Sequence, residues 1–109
     1  MDATTPNDTA APSRVAAVVG AGLIGQAWAI VFARAGWRVQ VYDANAACLP
    51  EAGRLIERQL HELEQQQLMQ GAAQAMARVQ LEPDLARALA GASYVQESSP
   101  ERLDVKQAL

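Results

Sequence analysis

Val15-Ala-Ala-Val-Val-Gly20-Ala-Gly22-Leu-Ile-Gly25-Gln-Ala-Trp-Ala-Ile-Val-Phe-Ala-Arg-Ala35-Gly36-Trp-Arg-Val-Gln-Val-Tyr-Asp43 is the stretch that decides the fold. An apolar run of strand length ends in a glycine turn. A helical run follows to Ala35, then Gly36, then a second strand with an acid at its tip. The three glycines of the turn answer separate needs. Gly20 lets the chain leave the strand sharply, Gly22 leaves the backbone open to a close neighbour, and Gly25 lets the helix lie against the sheet. Ile24, Ala27, Trp28, Val31 and Ala35 recur at helical spacing and are expected to form the buried face. Gly36 is the expected C-terminal cap.

A strand–glycine turn–helix unit is built to receive a pyrophosphate. The helix start directs unpaired N–H groups and a partial positive charge at the phosphates. Gly20, Gly22, Leu23, Ile24 and Gly25 are the expected phosphate-side residues. Asp43 stands eighteen residues beyond Gly25, where a carboxylate accepts from the hydroxyls of the adenosine ribose. A turn used only for packing would explain the glycines but not Asp43. The acid also bears on cofactor choice, because it would repel a ribose 2′-phosphate. Ala44-Asn-Ala-Ala47 after it contains no cation. NAD is therefore expected over NADP, while the glycines alone do not exclude FAD.

The rest of the composition narrows the class. With 109 residues the chain is one small domain at most, and half of its residues are hydrophobic. The net charge of −3 and a single lysine, Lys106, give no footprint for nucleic acid. No apolar run approaches the ~20 residues of a membrane span. One cysteine, Cys48, excludes an internal disulfide and suits a reducing, cytoplasmic setting. Residues 1–13 lack a basic start and an apolar core, so they read as a disordered leader rather than a secretory signal.

Beyond Asp43 the apolar positions Leu49, Ala52, Ile56, Leu60 and Leu63 draw one stripe of a long helix. Glu51, Arg54, Glu57, Arg58, Glu62 and Glu64 fill its solvated face. A turn near Gln70-Gly71 and a short helix over 72–77 complete a helical arm, either projecting toward a substrate or folded onto the sheet. His61, the only histidine, has no polar cluster beside it and reads as a solvated helix residue. Cys48 sits at a helix start, where a thiol can become acidic, although a small packed hydrophobe is the simpler role. A strand over 78–82, a helix over 85–90 capped by Asp84 and ended by Gly91, and a strand over 92–96 follow. A last helix is expected after Ser99. Alternating units of this kind give an α/β fold: a Rossmann-type parallel sheet with helices on both faces and a helical arm after the second strand. Ligands bind such sheets at the carboxyl ends of the strands, which adds Glu97, at the end of the fourth strand, to the cofactor-binding set.

The stretch from Val18 to Trp37 resembles the start of the 3-hydroxyacyl-CoA dehydrogenase family. Its branch containing L-gulonate 3-dehydrogenase and lambda-crystallin is the most similar, through Trp28 after Ile24-Gly25. Tyr94-Val-Gln-Glu97-Ser-Ser-Pro-Glu101 is similar to the family's segment with two spaced glutamates, and Asp84 to Ser93 to the segment before it. The resemblance covers about residues 14–109. It implies oxidation of a secondary alcohol at carbon 3 with hydride passing to NAD. A histidine takes the proton, a glutamate orients it, and serine and asparagine hold the substrate. None of those catalytic positions matches a residue here, and His61 is not the family's histidine. The expectation is a partial NAD-binding domain over residues 14–109, truncated at the C-terminus and inactive alone, from a full-length homodimer.

For substrate, residues 51–80 hold four glutamates against three arginines and no lysine. A CoA phosphate calls for clustered cations. A free 3-hydroxy acid such as L-gulonate or carnitine is thus expected ahead of an acyl-CoA. No metal site is expected. The competing expectation is a non-catalytic NAD-binding or structural module. A more distant one, another alcohol or imine oxidoreductase, is opposed by the spacing of Glu97 and Glu101.

Overall fold

The computed structural model describes residues 14–98. In chain order they form β1 (Val15–Val19), α1 (Leu23–Arg34), β2 (Arg38–Tyr42), a 3-10 turn (Ala46–Cys48), α2 (Leu49–Gln65), α3 (Ala72–Ala77), β3 (Val79–Leu81), α4 (Leu85–Leu89) and β4 (Tyr94–Glu97). The expected leader over residues 1–13, the helix after Ser99, and Glu101 lie outside the described residues.

The strands make one parallel sheet in the order β3-β2-β1-β4. The first crossover moves outward from β1 to β2 and on to β3. The last returns to the far side of β1, so strand order reverses between β1 and β4. The register aligns Val19 with Tyr42 on one side and with Glu97 on the other. Three strands therefore end level with one another, and the loops that leave them share one edge.

Alternation along the strands sends Val18, Val39 and Val41 to a core shared with Ala29, Ile30 and Ala33 of α1 and with Leu49, Ala52, Ile56 and Leu60 of α2. The short α4 packs against β1 and β2, burying Ala88. The expected stripe of α2 is the buried one, with Leu63 partly buried at its far end. Met69 and Met76 pack on the same core, and α2 and α3 both touch α1. Residues 49–77 are therefore a helical hairpin folded onto α1 and β3, not a projecting arm. Two arginines fasten it. Arg34 donates to the Leu68 carbonyl at 3.1 Å, and Arg78 donates to the Ala33 carbonyl at 2.8 Å.

The buried face of α1 differs from the expected one. Gly25, Gln26, Ala29, Ile30 and Ala33 face the protein, while Ile24 and Val31 are 66% and 52% exposed and Ala27, Trp28 and Ala35 are also on the outside. The helix is apolar nearly all round, so its periodicity does not choose a face. Gly25 chooses it: a Cβ there would stand 1.7 Å from the Gly20 carbonyl oxygen. Only the bare glycine face can lie that close to the turn, and the residues in line with it follow it inward.

Helix ends are set by backbone motifs. After α1, Trp37 N–H donates to the Phe32 carbonyl at 3.0 Å and Gly36 N–H to the Ala33 carbonyl at 3.1 Å, with Gly36 at φ +95°. This is a Schellman ending, and the Phe32 and Trp37 rings, 5.1 Å apart, supply its apolar contact. The end of α2 has the same pattern with Gln67 in the left-handed position at φ +62°, where Leu68 N–H donates to the Leu63 carbonyl. One capping expectation changes. Asp84 stands at the start of α4 but makes no side-chain cap there; it faces Arg87 at 3.6 Å. Glu64 lies on the solvated face as expected, and from there it also accepts from the N–H groups of Gly71 and Ala72 and so supports the start of α3.

Candidate cofactor site

At the shared edge of β1, β2 and β4 the chain assembles Gly20 to Gly25, Asp43 and Glu97. Gly20 N–H donates to the Tyr42 carbonyl at 2.7 Å, which continues the β1–β2 ladder into the turn. Beyond it the carbonyls of Gly20, Ala21 and Gly22 all turn inward. The first sits over Gly25; the second accepts from Gln26 Nε2 at 3.0 Å; the third accepts from Gln26 N–H at 2.9 Å. A trans peptide holds its N–H opposite its C=O. The N–H groups of Ala21, Gly22 and Leu23 therefore point outward, the first of them into Asp43.

Asp43 uses both carboxylate oxygens. Oδ2 accepts from Ala21 N–H at 2.8 Å, and Oδ1 accepts from Asn45 N–H at 2.8 Å. Asn45 in turn accepts from Ala47 N–H at 3.2 Å, forming the 3-10 turn that leads into α2. The acid at the tip of β2 is thus tied to the glycine turn after β1. Gly22 is exposed at ordinary φ, and a Cβ there would meet nothing within 4 Å. Leu23 and Ile24 stand beside it, 77% and 66% exposed. Glu97 is half-buried level with Val19, and the next residue's N–H donates to the Val19 carbonyl at 2.7 Å.

The structure brings together the sequence-derived set of Gly20, Gly22, Leu23, Ile24, Gly25, Asp43 and Glu97. Gln26 was not in it. A glutamine in the first turn of a helix reads as solvated, and only the depth of Gly25 in the fold reveals that its neighbour is buried. Cys48 is half-buried and packs on the core. Burial, and then the adjacent Asp43 carboxylate, push its thiol above the ordinary value, which agrees with the packed hydrophobe preferred from sequence and not with an acidic thiol. His61 is exposed on α2. Among the described residues no cluster of His, Cys, Asp and Glu could hold a metal, and no helix is long and apolar enough to cross a membrane.

A parallel sheet reversing between β1 and β4, with the glycine turn and an acid at that edge, defines a Rossmann-type nucleotide fold. Residues 15–109 match the family described as 3-hydroxyacyl-CoA dehydrogenase, NAD binding domain. The chain belongs to that family. Among its relatives are a lambda-crystallin homolog of Mus musculus, 36% identical over 83% of this chain and 29% of the relative, and L-carnitine dehydrogenase of Streptomyces griseus, 38% identical over 98% and 33%. Among solved structures, 3-hydroxybutyryl-CoA dehydrogenase from Escherichia coli superposes with a TM-score of 0.76 at 32% identity, over 88% of this chain and 21% of that one. The chain spans about a third or less of the length of these relatives.

Proposed function

We propose that this chain is the N-terminal, NAD-binding part of an oxidoreductase that converts the 3-hydroxyl of a hydroxy acid or 3-hydroxyacyl-CoA to a ketone. The observation that carries the reading is the joint between Asp43 and the glycine turn: a carboxylate 2.8 Å from Ala21 N–H, beside the open backbone at Gly22. In this reading the outward N–H groups of Gly22 and Leu23 take the pyrophosphate. Asp43 takes the ribose hydroxyls and disfavours a 2′-phosphate, Leu23 and Ile24 flank the cofactor, and Glu97 borders it from β4. Bound NAD supplies the hydride acceptor.

The residues that act on substrate belong to a longer protein, which the relatives' lengths support, and that protein is a homodimer in a cytoplasmic setting. This chain over residues 14–109 is a partial domain that holds cofactor and does not turn over substrate. The acid-rich outer face of α2 supports a free hydroxy acid ahead of an acyl-CoA, and the carnitine dehydrogenase among the relatives points the same way. Titration of the purified chain with NAD and with NADP, beside Asp43→Asn, tests the reading. NAD should bind tighter than NADP by about tenfold or more, and the margin should shrink in the variant. Equal affinity of the unmutated chain for both would refute the assignment of Asp43.

A further inference from the structure

The geometry points to Gln26 as a positioning residue that aims the phosphate-binding N–H groups of the glycine turn. The inference deepens the cofactor reading above and rests on it. Gln26 is 5% exposed, the single buried polar residue in the described core. Its backbone N–H holds the Gly22 carbonyl at 2.9 Å and its Nε2 holds the Ala21 carbonyl at 3.0 Å. The first bond is the ordinary opening bond of the helix, which any non-proline residue here would make; the glutamine side chain adds the second and so fixes the preceding Ala21–Gly22 peptide plane as well. Because each plane is rigid, turning those carbonyls inward aims the N–H groups of Gly22 and Leu23 outward. Ala21 is held from both sides, by Gln26 at its carbonyl and by Asp43 at its N–H.

Packing alone does not account for a glutamine here. Its Oε1 is buried with no partner among the described residues, and an unpaired buried acceptor is destabilising. Leucine, of similar size, would fill the same space without that penalty, but it could not hold the Ala21 carbonyl. The amide donor is what the position needs.

The test compares Gln26→Leu and Gln26→Glu with the unmutated chain by NAD titration from pH 8 to pH 5, with helix content checked by circular dichroism. Gln26→Leu should bind NAD about tenfold more weakly while still folded. Gln26→Glu should be as weak at pH 8, where a carboxylate faces the Ala21 carbonyl. It should recover relative to the unmutated chain as the pH falls, because a protonated carboxyl donates as the amide does. Burial raises that carboxyl's pKa, which brings the recovery into this range. Charge repulsion of the phosphates would also produce the glutamate profile, but it would spare the leucine variant. A folded Gln26→Leu that binds NAD within about twofold of the unmutated chain overturns the role.

Hydrogen exchange of the Ala21 amide, followed without cofactor, reads the same geometry independently. It should speed up in Gln26→Glu at pH 8 relative to the unmutated chain at that pH. Unchanged exchange there overturns the proposal even if Gln26→Leu cannot fold. An unmutated chain that fails to bind NAD overturns the cofactor reading and this inference with it, whereas failure of the variants alone leaves that reading standing.

Discussion

Gly22 and Gly25 stand three residues apart and answer opposite needs. At Gly25 the need is internal, since any side chain would run into the Gly20 carbonyl backbone, which cannot give way cheaply. Gly25→Ala should cost about 3 kcal/mol or more in a urea unfolding experiment, by overpacking against main chain. At Gly22 the fold itself makes no demand. The sequence distinguished these two roles by their place in the motif, and the structure agrees on Gly25. It could not foresee Gln26, whose burial follows from how deeply Gly25 seats the start of α1 against the glycine turn, a packing depth that no periodicity records. Cys48 is a second residue-scale case. Burial first, and Asp43 next, raise its pKa, so the folded chain keeps a proton that the unfolded chain loses. Stability should therefore decline as the pH rises past the ordinary thiol value of about 8.5. Alkylation by iodoacetamide should show a midpoint above that of the denatured chain, and Asp43→Asn should bring it part of the way down.

Among the elements, α2 was the most legible, because its stripe of Leu49, Ala52, Ile56 and Leu60 has one apolar face and one charged face. Truncating Ile56 to alanine should destabilise by about 2–5 kcal/mol, since its side chain is fully enclosed in the shared core. Helix α1 was legible in extent but not in orientation, for want of a polar face to exclude. The end of α2 was obscured for another reason: a glutamine occupies the left-handed position that usually advertises itself as glycine. Relieving that conformation by Gln67→Gly should raise stability by up to about 1 kcal/mol in the same denaturation assay, the residual after the added freedom of the unfolded chain.

At the scale of the whole molecule, one flank is unlike the rest. Among the described residues β4 has a neighbour only on the β1 side, and Tyr94 and Val95 are about half exposed. The outer face of α1, with Leu23, Ile24, Trp28 and Val31, is exposed as well. Parallel strands are ordinarily covered on both faces. An apolar strand edge in this condition invites association. Size-exclusion chromatography with light scattering should find the isolated chain self-associating as its concentration rises, and Val95→Lys should reduce it.

The pairing of Asp43 with the glycine turn followed from a βαβ pattern confined to 29 residues, Val15 to Asp43, and the α/β class from the alternation of strands and helices beyond it; the strand order emerges only from the sheet itself. The packing of the helical hairpin did not follow from the sequence either, because amphipathicity alone fits a projecting arm equally well. The central claim is that the open backbone at Gly22 receives a dinucleotide phosphate, and Gly22→Ala tests it most directly. The variant should unfold within about 0.5–1 kcal/mol of the unmutated chain, since its Cβ meets nothing. Its affinity for NAD should drop by about tenfold or more, because that Cβ occupies the approach of the pyrophosphate. A folded Gly22→Ala chain that binds NAD as well as the unmutated chain would contradict the account.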